Sequence, residues 1–72
     1  SEKQKDLTKY REMESIVRRA RTDLDELVRS YESQRMDEEM EKMIQSNLKT
    51  QKRKLLMKEV ILEELRQKAA SV

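Results

Sequence analysis

Apolar residues settle into a seven-residue repeat at Tyr10. With Tyr10 at position a, the residues Tyr10, Val17, Leu24 and Tyr31 occupy a, and Met13, Ala20 and Leu27 occupy d. All seven consecutive core positions are filled, and Ile16 and Val28 widen the stripe. Steps of three and four residues bring side chains onto one helix face, and a seam this narrow is the coiled-coil kind.

Beyond Tyr31 the pattern slips. The same frame puts Gln34, Glu38, Glu41 and Gln45 at core positions, while the apolar residues are Met36, Met40, Met43 and Ile44. Regular spacing returns through Ile44, Leu48, Gln51, Leu55, Lys58, Leu62, Leu65, Ala69 and Val72. One seam of the first frame survives there and its companion has moved by one position, as a stammer or a short break produces. Leu56, Met57, Val60 and Ile61 make this second half apolar over a wide arc, enough to cover more than one partner surface.

These patterns predict an all-α chain of long amphipathic helices in coiled-coil packing, with no strands. The helices are expected over 5–32 and 36–70, with the heptad discontinuity at about 32–41. Ser30 and Ser33 are candidate caps for a new helix, and Asp37, Glu38 and Glu39 suit its first turn electrostatically. Met36–Met43 is nevertheless strong helix-forming sequence, and no Gly or Asn marks a C-cap there. The pattern therefore allows a helical hairpin, an antiparallel two-chain rod, or one continuous helix of about 100 Å.

Facing helices are expected to run antiparallel. Pairing Tyr10 with Ala69 sets Val17 against Leu62, Leu24 against Leu55 and Tyr31 against Leu48, with Leu7 against Val72 at the end. Tyr10, Val17, Leu24, Leu27, Tyr31, Leu48, Leu55, Leu62 and Leu65 form the expected seam. In this register Asp25 and Glu26 lie opposite Lys54 and Arg53, and the block Arg18–Arg21 lies beside Glu59 and Glu63. A shift of one heptad either way loses apolar layers or opposes like charges. Asp25, Glu26, Arg53 and Lys54 are thus expected to set the register by penalising wrong pairings. The poor layers are those in which Met13, Ala20 and Leu27 meet Arg66, Glu59 and Lys52, whose aliphatic stems must cover them.

Composition agrees with helix. The 72 residues include no Gly, Pro, Cys, His, Trp or Phe, and 44% are charged. Such a chain is written almost entirely in helix formers. Only 35% is hydrophobic, so an ordinary globule is not expected of a chain this short. Ser1 in first place reads as one coiled-coil segment, 1–72, of a larger protein. No stretch is long and apolar enough for a transmembrane span, and the lack of cysteine suits an intracellular setting, cytoplasmic or nuclear.

Chemistry is scarce. Without His, Cys or a Gly-rich loop, no catalytic or cofactor motif is present. Carboxylate pairs such as Glu38 with Glu41, or Glu59 with Glu63, read as solvated helix faces. Perturbing them into acid–base catalysts needs burial. Asp37, Glu38, Glu39 and Glu41 lack calcium-loop spacing. No enzyme activity, cofactor or metal is expected. The function expected is protein–protein interaction or oligomerisation, the partner being a second copy of the chain or another helical protein. Met36, Met40, Met43 and Ile44 form a candidate docking patch, since methionine adapts to varied partners. The alternative is a basic helical arm, 49–58, that contacts nucleic acid or an anionic membrane through Lys49, Lys52, Arg53, Lys54 and Lys58.

Overall fold

A computed structural model describes residues 1–71 and shows two helices packed antiparallel as a hairpin. Helix α1 spans Glu2–Glu32 and helix α2 spans Glu38–Ala70. The backbone measures 55 × 16 × 12 Å, close to the length of one 33-residue helix at about 1.5 Å per residue. Among the described residues there is no strand. Neither helix is long and apolar enough to cross a membrane.

Helix α1 begins three residues earlier than the periodicity indicates, because Ser1 caps it. The Ser1 hydroxyl accepts a bond from the Gln4 amide at 3.3 Å, and the terminal ammonium donates back to Gln4 Oε1 at 3.5 Å. This reciprocal capping box satisfies two of the orphan donors of a first turn.

The chain reverses between Ser33 and Asp37 without a glycine and without a residue of positive φ. Ser33 stays right-handed at φ −82°, and its amide donates to the Arg29 carbonyl at 3.2 Å. The Ser33 hydroxyl donates to the Ser30 carbonyl at 2.8 Å, and the Gln34 amide donates to the Tyr31 carbonyl at 3.2 Å. Asp37 then turns extended, at ψ 172°, and its carboxylate accepts from the Met40 amide at 2.8 Å. The cap of α2 is thus Asp37, while Ser30 and Ser33 close α1. Met36, expected to be helical, lies in the connection just ahead of this cap, half-buried. Glu38, Glu39 and Glu41 follow in the first turn of α2, where carboxylates suit the positive end of the helix dipole.

Each helix turns one stripe inward. Val17 is fully buried, and Ile44 and Leu48 are close to it at 9% and 8% exposure. Tyr10, Met13, Ala20, Leu24, Leu27 and Tyr31 line α1 half-buried, and Leu55, Leu62, Leu65 and Ala69 do so on α2. Two helices alone enclose few side chains from all sides, so most of the stripe keeps a solvent edge. Val72, assigned to the seam by its spacing, lies outside the described residues.

Candidate helix-pairing interface

Helix α2 presents the shifted seam. Ile44, Leu48, Gln51, Leu55, Lys58, Leu62, Leu65 and Ala69 are buried or half-buried in alternating steps of four and three, with Glu59 half-buried at the edge. Gln51 and Lys58 stand at two of the seam positions. They share an open hollow with Ala20, Leu24, Leu27 and Leu55. Ala20 and Leu27 therefore lie near Lys58 and Gln51. Lys58 and Asp23 line this hollow beside the small Ala20.

Among the described residues, two polar contacts cross the hairpin. Arg21 Nε meets Glu59 Oε1 at 3.2 Å, and the Asn47 amide donates to the Tyr31 hydroxyl at 3.3 Å. Near the turn, Val28, Tyr31, Met36, Ile44 and Leu48 line one open cleft. These contacts place Tyr31 beside Leu48 and join Arg21 to Glu59 one residue out of step with the Leu24–Leu55 level, which is where the flank of a seam lies.

The four residues assigned to register behave differently from the seam. Asp25, Glu26, Arg53 and Lys54 are all exposed, and no ion pair joins them among the described residues. The reason is angular. At about 100° per residue, Asp25, Glu26 and Arg53 project more than roughly 100° from the seam direction, and only Lys54 flanks it. Of the basic block, only Arg21 reaches across to α2. Arg18 pairs with Glu14 at 3.8 Å and Arg19 with Asp23 at 3.3 Å, both along α1. Arg21 and Glu59 each follow a seam residue by one position, and a search for opposite charges there would have found the pair.

Glu63, expected beside the arginine block, instead turns along its own helix. It accepts from Arg66 Nε at 2.9 Å and from the Gln67 amide at 3.3 Å. These bonds, Arg66's first, hold its carboxyl down at about 2. Tyr10 donates to Glu14 Oε2 at 3.1 Å, and that bond to a carboxylate raises its hydroxyl pKa above the ordinary value.

The methionine cluster is divided by the helix. Ile44 turns into the core and Met36 packs half-buried at the connection, whereas Met40 and Met43 face outward, Met43 at 73% exposure. Farther along α2, Leu56, Met57, Val60 and Ile61 are all exposed, Met57 at 67%. Sequence spacing marks these four as surplus to the first seam, and the structure leaves them on the outer side of α2. The basic residues Lys49, Lys52, Arg53 and Lys54 are likewise exposed and outside every ion pair among the described residues.

Compared with known proteins, the chain matches no family model, no curated protein and no solved structure.

Proposed function

We propose that the hairpin is a non-catalytic protein–protein interaction module that presents the outer face of α2 to another helix. The observation that carries this reading is the exposure of Leu56, Met57, Val60 and Ile61 on a helix whose inner face is already satisfied by α1. Single exposed apolar residues are ordinary, but a contiguous cluster on a small charged protein is a recognition surface. Helix-in-groove and helix-on-helix recognition both use anchors at this spacing. An intracellular setting, cytoplasmic or nuclear, fits a chain without cysteine.

The test is a photoreactive residue placed at position 57, with a control at Lys3 on the other helix. The reading expects a discrete cross-linked product, with itself or with a helical protein, from position 57 alone. Equal and diffuse labelling from both positions refutes it.

A second reading keeps one observation in its favour. Lys49, Lys52, Arg53 and Lys54 have no carboxylate partner among the described residues, so their charge is available to phosphates. Nothing beside them offers an aromatic platform for bases. Binding to nucleic acid or an anionic bilayer would then be driven by counterion release and fall steeply with salt. Titration of labelled duplex and of phosphatidylserine vesicles at two salt concentrations separates the readings, because apolar helix pairing survives the higher salt.

A further inference from the structure

We propose that the occupant of the outer face of α2 is the same face of a second copy, packed antiparallel about a two-fold axis at the level of Lys58 and Glu59. This rests on the interaction reading above and names its partner, register and symmetry.

The outer stripe runs Ser46, Thr50, Arg53, Met57, Val60, Glu64, Gln67, Ser71, again in steps of four and three. It lies opposite the seam that α1 covers, and every residue in it is exposed. Such spacing is that of a second coiled-coil seam on one helix. An antiparallel copy that sets Met57 against Val60 necessarily sets Arg53 against Glu64, Thr50 against Gln67 and Ser46 against Ser71. Each layer then matches like with like in polarity and opposite with opposite in charge. Leu56 and Ile61 flank the two central layers and widen the apolar patch.

Other registers do not match. A slide of one heptad in one direction puts Met57 against Arg53 and Val60 against Thr50. A slide in the other puts Val60 against Glu64 and Met57 against Gln67. A parallel in-register pair opposes Arg53 to Arg53 and Glu64 to Glu64. Self-complementarity about a two-fold axis is the condition for a closed homodimer, and this stripe meets it in one register.

Arg53 and Glu64 have no other engagement. Neither takes part in an ion pair among the described residues, although Lys68 stands four residues beyond Glu64. The hairpin also has reason to dimerise, since one fully buried side chain and two nearly buried ones make a small core for a chain of 72 residues.

The test is sedimentation equilibrium of the full chain up to millimolar concentration, with R53E, E64R and their one-to-one mixture. Circular dichroism checks that each variant keeps its helix, which substitution at exposed positions should not disturb. The parent is expected to show a monomer–dimer equilibrium. Each single variant opposes like charges at two symmetric layers and should raise the dimer dissociation constant by about ten-fold or more. The mixture restores both opposite-charge layers, because the carboxylate introduced in R53E faces the guanidinium introduced in E64R. It should recover dimerisation as a heterodimer. A helical parent that stays monomeric at millimolar concentration overturns the second copy as occupant, while leaving the cross-linking test of the interaction reading to decide that reading by itself. A parent dimer indifferent to both substitutions, or a mixture that fails to rescue, means another face or register and overturns the proposal equally.

Discussion

Val17→Ala is the most direct probe of the seam, because Val17 is the one fully buried side chain among the described residues. Removing two methyl groups from that site forfeits about 1.6 kcal/mol of transfer free energy. Incomplete collapse of the helices around the gap adds about 1 kcal/mol. Alanine is the better helix former and returns about 0.5 kcal/mol. The net loss is about 2 kcal/mol, which for a domain of this size lowers the melting temperature by roughly 10 °C. Val60→Ala is the matched control. It carries the same gain in helix propensity, but Val60 is about half exposed, at 52%, so its net effect should lie near zero. Both variants are melted by circular dichroism at the lowest workable concentration, where association contributes least. Equal melting temperatures for Val17→Ala and Val60→Ala would refute the assignment of the inner and outer faces of the two helices.

Three further outcomes check separate parts of the structure. Asp37→Ala removes the side chain that caps α2 and should cost about 1 kcal/mol in urea unfolding, with Asp37→Asn close to the parent; an Ala variant as stable as the parent would deny the cap. Leu24→Cys with Leu55→Cys should oxidise to an intramolecular disulfide that speeds migration on a denaturing gel without doubling the mass, whereas a doubled mass would indicate a two-chain rod. The Glu63 carboxyl is held below its ordinary value of 4.5, so the helix-stabilising contribution of its bonds is complete above that pH and fades as pH falls towards about 2. Carbon-detected NMR titration should find its midpoint near 2, and a midpoint at the ordinary value would remove the Arg66 and Gln67 bonds.

The inner face was legible because it follows from periodicity alone. Tyr10 to Tyr31 can lie on one side of a helix in one way, and the shifted seam from Ile44 to Ala69 reads equally well. The reversal was harder. Its residues include methionine, glutamine and arginine, all good helix formers, and the bonds that close it are a serine hydroxyl to a carbonyl and an aspartate to an amide. Asp37 was visible as a first-turn carboxylate, but its role as the cap depends on the backbone turning extended at that residue. The charges mislead for a different reason. Opposition in residue number is not opposition in space, and Asp25, Glu26 and Arg53 satisfy the first while their helical phase denies the second. Arg21 and Glu59 stand one residue off strict opposition, yet both flank the seam and meet.

The slip in the heptad and the reversal of the chain have one physical origin. A continuous helix from Glu2 to Ala70 would carry the first frame through Gln34, Glu38, Glu41 and Gln45, exposing four polar core positions to a partner helix at its centre. Breaking at Ser33–Asp37 costs a few backbone hydrogen bonds, offset in part by the Ser33 hydroxyl on the Ser30 carbonyl and the Asp37 carboxylate on the Met40 amide. It also frees α2 to rotate by the one position that replaces Gln45 with Ile44 on the inner face, beside Leu48, which is a core position in both frames. Met57 and Val60, with Arg53 and Glu64 on either side of them, stay on the outer face in either frame. The inner face of α2 therefore depends on this break, and a substitution that repaired the first frame, such as Glu38→Leu with Glu41→Leu, should favour the extended rod at the hairpin's expense. Sedimentation velocity reads the difference as a marked rise in frictional ratio. An unchanged ratio with full helicity would mean that the local bonds of the turn, rather than the seam, decide the fold.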